Sequence, residues 1–297
     1  MTNIFRLLRV EQWVKNLFVF LPLFFSGNIF DLRLVLYSVF AFVLFSLAAS
    51  GVYIVNDYSD IESDRRHPVK RHRPLASGAI SKSKARVILM GLIALILLLF
   101  VCAYFFLKLE FHFWEVMGVI AFYWGMNLAY TFTLKHVAIV DVCLVSLGFV
   151  LRILVGGYAT GIPISQWAIL LTFILALVLA FGKRRGELIN AQISGTTRRS
   201  LDGYNVQFAD IALSISVTLA IVSYLMFTVT PEVQQKFGSR VFYTVIFVVF
   251  ALLRYLQQTL VYNKTESPTR VIYKDRFIQL TVLFWIVSFM LLIYYKL

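Results

Sequence analysis

Nine apolar stretches, near residues 16–30, 34–55, 87–107, 113–134, 138–158, 166–182, 208–230, 241–261 and 277–295, leave this chain few folds to choose from. A bilayer core about 30 Å thick needs roughly 20 apolar residues per helical crossing. Within lipid each backbone N–H and C=O must find a partner inside its own segment, which an α-helix provides. The pattern predicts an all-α polytopic membrane protein of nine transmembrane helices, in a single domain over residues 1–297. The first crossing is short or bent, because Pro22 and Gly27 interrupt it and Asn16 and Asn28 bracket it. Composition agrees, with 60% hydrophobic and only 14% charged residues. The mean hydropathy of +0.81 exceeds what a soluble core requires.

Sidedness follows from the basic residues, which collect on cytoplasmic loops. Arg6, Arg9 and Lys15 precede the second stretch, and eight cations from Arg65 to Arg86 separate the second from the third. Lys135, then Lys183, Arg184, Arg185, Arg198 and Arg199, then Arg254, Lys264, Arg270, Lys274 and Arg276 fall on the same side. The opposite side holds Arg33, Lys108, Lys236, Arg240 and Lys296. The amino terminus is therefore expected in the cytoplasm of a cell bounded by an inner membrane, and the carboxyl terminus outside. This segregation, with attraction to anionic headgroups, accounts for the net charge of +13 without nucleic acid. Cys102 and Cys143 sit in apolar stretches without paired spacing, so neither a disulfide framework nor a zinc site is expected. No removable signal peptide is evident.

The chemistry concentrates in Asn56-Asp57-Tyr58-Ser59-Asp60-Ile61-Glu62-Ser63-Asp64. A helix through this run puts Asp57, Asp60 and Asp64 on one face. Three crowded carboxylates repel, and a hard divalent cation relieves the repulsion; Mg²⁺ held by one or two carboxylates keeps positions open for phosphate oxygens. The basic, turn-rich run from His67 to Gly78 follows, where Lys70 and Arg73 either meet substrate phosphates or simply obey the charge rule and pair with Asp60 or Asp64.

Three further features lie near the same edge. Tyr130 and Lys135 end the fourth stretch, and Asp141 begins the fifth; an aromatic belt and a snorkelling lysine would look the same. Arg152 lies about 16 Å deeper than Asp141 at 1.5 Å per residue, and a charge at that depth faces the bundle interior, a wet cavity or a structural partner. The sixth stretch ends in Gly182-Lys183-Arg184-Arg185-Gly186-Glu187, where Lys183 and Arg184 suit a second phosphate. Glu187 suits an ion pair or a further metal or ribose contact.

The acidic run resembles the first motif of the UbiA superfamily of intramembrane prenyltransferases, N-D-x-x-D-x-x-x-D, at every position. That resemblance implies nine helices around a central cavity with a cytoplasmic polar cap and Mg²⁺-bound diphosphate. Arg9 to Asn16, the H-P-x-K-x-x-R-P-x-A-S-G run, Tyr130 to Lys135 and Gly182 to Leu188 are similar to the superfamily's phosphoribosyltransferase branch. There the donor is 5-phosphoribosyl-1-diphosphate (PRPP) and the acceptor a decaprenyl-like polyprenyl phosphate. The resemblance implies Asp57 and Asp60 as metal ligands and catalytic residues, with Asn56 and Asp64 in support. It implies Lys135 in a catalytic role and Lys70, Arg73, Tyr130, Lys183 and Arg184 around PRPP. Lys15 falls to the acceptor phosphate, and Asp141, Arg152 and Glu187 to substrate contacts. One departure stands out: Asp141 has no second acid at short spacing. The alternatives are prenyl transfer to an aromatic acceptor, or a transporter using Arg152. A homo-oligomer is compatible with the sequence, which does not select one.

Overall fold

The computed structural model describes residues 3–67, 69–106, 112–194, 201–263, 271 and 274–295. Pro68, Lys108, Arg198, Arg199, Lys264, Arg270 and Lys296 lie outside the described residues. Among the described residues every regular element is helical. The long helices are α1 (Leu32–Ser59), α2 (Lys82–Phe106), α3 (Phe113–Phe132), α4 (Val140–Thr160), α5 (Gln166–Ser194), α6 (Val206–Val229), α7 (Val245–Leu260) and α8 (Arg276–Tyr295). Side chains start several of them. Asp31 accepts from the Arg33 and Leu34 N–H groups at α1, Asn205 from Phe208 at α6 and Asp275 from Ile278 at α8. Each satisfies donors that the first turn leaves open.

Seven helices among the described residues, not the expected nine, are long and apolar enough to cross a membrane. Two stretches account for the difference. Residues 10–20 wind as a 3-10 helix, Val10–Phe20, followed by the short helix Leu21–Ser26. Pro22 lacks an N–H and Gly27 closes the segment at φ 81°, so no continuous α-helix forms there. Helix α3 does form over 20 residues, but Glu115, Asn127, two Trp and two Tyr dilute its apolar content. A third difference concerns α5, which continues to Ser194 and carries Lys183–Glu187 on the helix instead of a loop.

Two compact units divide the chain: residues 1–134 with 148–164, and residues 135–147 with 165–297. In the first, α1 packs on the 3-10 helix, α2 and α3. Gly51 admits the Trp124 indole, since a Cβ there would lie 2.5 Å from the ring. In the second, α5 packs along α6 and α7 along α8, around Val142, Phe181, Leu213, Val217 and Tyr255. Tyr224 ties that unit together, accepting from Trp285 Nε1 at 2.7 Å and meeting Thr244 Oγ1 at 2.7 Å. Exposed Val87, Met90, Leu97 and Val101 on α2, and Leu283 and Phe284 on α8, are what a lipid solvent calls for.

Candidate active site

Helix α1 stops at Ser59, and Asp60 at φ −96° and ψ 8° joins it to the one-turn helix Ile61–Arg65. The hydrogen-bond ladder nevertheless runs through the junction. The Asp60 N–H donates to the Asn56 carbonyl at 3.0 Å and the Asp64 N–H to the Asp60 carbonyl at 2.8 Å. Asp57 and Asp64 therefore share one side and are each 2% exposed, with Asp60 half-buried between them. Burying such carboxylates is costly unless cations meet them. Arg73 does so, its Nη1 donating to Asp57 Oδ1 at 3.1 Å and to Asp64 Oδ2 at 2.7 Å. Lys70 Nζ lies 4.0 Å from Asp64 Oδ1. Arg9 pairs with Asp57 as well, and its guanidinium stacks on Tyr53 at 4.8 Å. The turn Lys70–His72, the positive φ of Gly78 and a bond from Arg65 Nε to the Ala76 carbonyl at 3.2 Å fold the basic loop onto the acids.

This donor set fits a hard cation. The buried Asn56 Oδ1 has no hydrogen-bond partner, which leaves a neutral oxygen donor beside Asp57 and Asp60. Among the described residues no three acidic, His or Cys side chains form a preformed cage. Mg²⁺ does not need one, since substrate phosphates and water complete its octahedron.

The second unit carries its own charge cluster. Asp141, on the first turn of α4, is 1% exposed. Arg184 Nε donates to its Oδ2 at 2.7 Å, and Arg184 also pairs with Glu187. The exposed Lys183 reaches Glu187 at 3.8 Å. The Tyr204 hydroxyl donates to Asp141 Oδ1 at 2.5 Å and accepts from the Ile139 N–H at 2.7 Å. Ile139 is held at φ 70°, a left-handed conformation that is strained for a β-branched residue. Burial, then the bond to Asp141, pushes the Tyr204 hydroxyl well above its usual range, so it stays a donor at neutral pH. Arg185, the next residue, points elsewhere. It donates to Asp210 Oδ1 at 2.5 Å, the Thr259 carbonyl at 2.7 Å and Asn263 Oδ1 at 2.6 Å, tying α5 to α6 and the end of α7.

Residues 17–281 match the profile of the UbiA prenyltransferase family. The chain belongs to that family. It is 34% identical, over 99% of its length and 93% of the relative's, to a decaprenyl-phosphate phosphoribosyltransferase of Mycolicibacterium smegmatis. It is 33% identical, over 97% of its length and 85% of the relative's, to one from Corynebacterium glutamicum. A solved UbiA homologue from Archaeoglobus fulgidus, bound to DMAPP and Mg²⁺, superposes with a TM-score of 0.66 over 99% of both chains at 16% identity. The fold is thus the UbiA fold.

Within this UbiA chain the expected residues separate by surroundings. Asn56, Asp57, Asp60, Asp64, Lys70 and Arg73 come together, and Asp64, expected only in support, is as buried as Asp57 and shares its arginine. Asp141, Lys183, Arg184 and Glu187 form the second group, with Glu187 an ion-pair partner. Tyr130 is half-buried on the last turn of α3, and Lys135 half-buried in the turn Leu134–His136. Arg152 is enclosed by the rings of Phe45, Tyr123 and Phe149 and donates to Asn16 Oδ1 at 2.7 Å and the Gly148 carbonyl at 2.6 Å. These are structural partners for a buried charge.

Sequence reasoning passed over two residues. Arg9 counts among the topogenic cations and opens the Arg9 to Asn16 run, but it is given no site role there, because its proximity to Asp57 has no local signal across 48 residues. Tyr204 follows Asp202-Gly203 and reads as part of a turn. Tyr204→Phe removes one donor from buried Asp141 and the acceptor of the Ile139 N–H. A loss of about 1–3 kcal/mol is expected, visible as a lower thermal midpoint in detergent. An unchanged midpoint would show that neither bond matters.

Proposed function

We propose that this protein transfers the 5-phosphoribosyl group of PRPP to a polyprenyl phosphate, releasing diphosphate and leaving a lipid-linked phosphoribose. The observation that carries this reading is its similarity, along nearly the whole chain, to relatives named decaprenyl-phosphate phosphoribosyltransferase. The alternation of buried carboxylates with Arg9, Lys70 and Arg73 supports it, because a donor with two phosphate groups needs both metal ligands and cations.

Each group of residues then has a task. Asp57 and Asp60, with the unpartnered oxygen of Asn56, would hold Mg²⁺, which when bound would neutralise charge on the departing diphosphate. Arg73 and Lys70 orient the diphosphate oxygens while Asp64 fixes Arg73. Lys183, which is exposed, is assigned to a phosphate of the donor, with Arg184, Glu187 and Asp141 setting its surroundings. Tyr130 and Lys135 contact the donor, and Lys15 receives the acceptor. Arg152, sealed by aromatic rings, supports Asn16 and through it the amino-terminal segment.

The acceptor phosphate is already an anionic oxygen nucleophile at neutral pH, so no strong general base is required. One of its oxygens forms the new bond to C1 as the bond from C1 to the diphosphate oxygen breaks. In-line displacement inverts the configuration at C1. The active site faces the cytoplasm, where the basic loops lie and a soluble sugar phosphate is available.

Labelled PRPP and polyprenyl phosphate, supplied with Mg²⁺ to the protein in membranes, test this reading. Label is expected in the lipid fraction. Its absence, together with prenylation of an aromatic acid from prenyl diphosphate, would reverse the choice of donor.

A further inference from the structure

Helix α3 turns one stripe inward. Buried Val116, Ile120 and Tyr123, half-buried Asn127 and Tyr130, and half-buried Leu134 just past its end recur at alternating steps of four and three, the spacing of a single helical face. An amide thus stands in the middle of the packed side of a helix that is otherwise apolar or aromatic there. Its nitrogen is already used, because Asn127 Nδ2 donates to the Tyr123 carbonyl one turn back at 2.8 Å. A carbonyl only accepts, so the nitrogen must lie on that side and Oδ1 is the atom presented away from the helix. Among the described residues this oxygen accepts no hydrogen bond.

Helix α1 carries a second such group. Tyr53 stands four residues before Asp57 and seven before Asp60, on the face that bears the acids. Arg9 stacks on its ring at 4.8 Å and steadies it, while its hydroxyl makes no hydrogen bond among the described residues. The two helices are in direct contact: the Phe45 and Tyr123 ring centroids lie 4.6 Å apart, and Gly51 admits the Trp124 indole. Because α2 returns the chain between them, α1 and α3 run in the same direction. Tyr53, two residues past Gly51, and Asn127, three past Trp124, therefore stand at one level. Tyr53 is also close enough to Tyr123 for the two side chains to interact electrostatically.

That level lies just beneath the acids. At 1.5 Å per residue Tyr53 is about 6 Å deeper than Asp57, and Asn127 about 4.5 Å deeper than Tyr130. A sugar ring attached to a diphosphate at Asp57 has this depth to occupy. A phenol and an amide oxygen without partners are costly in the wall of a membrane bundle, and an isoprenoid chain offers them nothing. Two neighbouring hydroxyls on a furanose match them: one donates to Asn127 Oδ1, and the other pairs with the Tyr53 hydroxyl, which both donates and accepts.

We propose that Tyr53 and Asn127 form the subsite for the vicinal ring hydroxyls of the pentose donor and set the preference for a sugar over an isoprenoid at this site. This rests on the phosphoribosyl-transfer reading for the identity of the sugar. Both are specificity residues, since they touch the ring and not the bond that breaks.

Calorimetry on the full-length protein in detergent tests the subsite, with Mg²⁺-PRPP, its analogues lacking the 2-hydroxyl or the 3-hydroxyl, and Mg²⁺-diphosphate as probes. Wild type is expected to bind PRPP about tenfold more tightly than either analogue, because a site built to hydrogen-bond a hydroxyl rejects the ligand without it. Asn127→Leu is expected to weaken PRPP about tenfold and to abolish the preference over one analogue, and Tyr53→Phe to do the same for the other. Mg²⁺-diphosphate, which has no sugar hydroxyl, should bind both variants within about twofold of the wild type. Variants that weaken PRPP, both analogues and diphosphate by the same factor would make the two residues structural and overturn the proposal. So would a wild type that binds PRPP and its two analogues equally, a result that needs no variant to fold and leaves the phosphoribosyl reading standing. A wild type that binds prenyl diphosphate but not PRPP would defeat the subsite and that reading together.

Discussion

Asp57→Asn is expected to lower turnover by about 10³-fold while the helices stay folded. Asp57 is 2% exposed and meets both Arg9 and Arg73 through one oxygen. The amide keeps the shape of the side chain but removes the charge that balances two guanidiniums and that we propose binds the metal. Breaking a fully buried pair costs about 3–5 kcal/mol. Here the two arginine side chains remain 20% and 25% exposed, so water screens part of the loss and about 1–2 kcal/mol of stability is the expected share. Most of the defect is therefore catalytic, and Mg²⁺-PRPP affinity should fall with turnover. Asp60→Asn separates the two effects: Asp60 is half-buried at a helix junction, so its variant should lose metal affinity with little change in melting. Equal melting losses and intact metal dependence in both variants would make the acids structural.

Arg184→Ala is expected to have the largest effect on stability, about 3–5 kcal/mol. Arg184 is the guanidinium between Asp141 and Glu187, and Asp141 lies 1% exposed beneath it. Its loss strands a buried carboxylate whose remaining side-chain hydrogen bond among the described residues is from the Tyr204 hydroxyl. Lysine cannot repair this, because one ammonium does not span two carboxylates as a fork does. Arg184→Lys should therefore recover less than half of the loss. Combining Arg184→Met with Asp141→Asn should recover more, and the non-additivity measures the pair. Thermal melting of the wild type, Arg184→Met, Asp141→Asn and the double variant measures that non-additivity, with Arg184→Ala and Arg184→Lys melted alongside. Additive losses would mean that Asp141 and Arg184 act independently.

How much of this was legible beforehand depends on whether the signal was local. Length and apolarity marked α1, α2 and α4 to α8, because a bilayer demands about 20 apolar residues from each crossing on its own. The count of nine failed where local content was equivocal, at the Pro22-interrupted segment and at the aromatic, Glu115-bearing α3. That Asp57 and Asp64 share one side followed from spacing alone, and their arginine from the adjacent loop, whereas the break at Asp60 did not. Arg9 against Asp57 did not, nor did Tyr204 against Asp141, since those contacts join residues 48 and 63 positions apart. The 3-10 winding of Val10–Phe20 was equally hidden, because hydrogen bonds to Ser46 and Ser50 and the close approach at Gly156 fix it. Arg152 was read as a functional charge by its depth, and its aromatic and amide enclosure is a tertiary fact.

The most direct test of the central claim is mass spectrometry of the lipids formed when purified protein receives PRPP, Mg²⁺ and polyprenyl phosphates of different lengths. A polyprenyl phosphoryl-5-phosphoribose is expected from the wild type, with diphosphate released in equal amount and product reduced about 10³-fold in Asp57→Asn. Diphosphate release without a phosphoribosylated lipid, or the same product from Asp57→Asn at the wild-type rate, would contradict it.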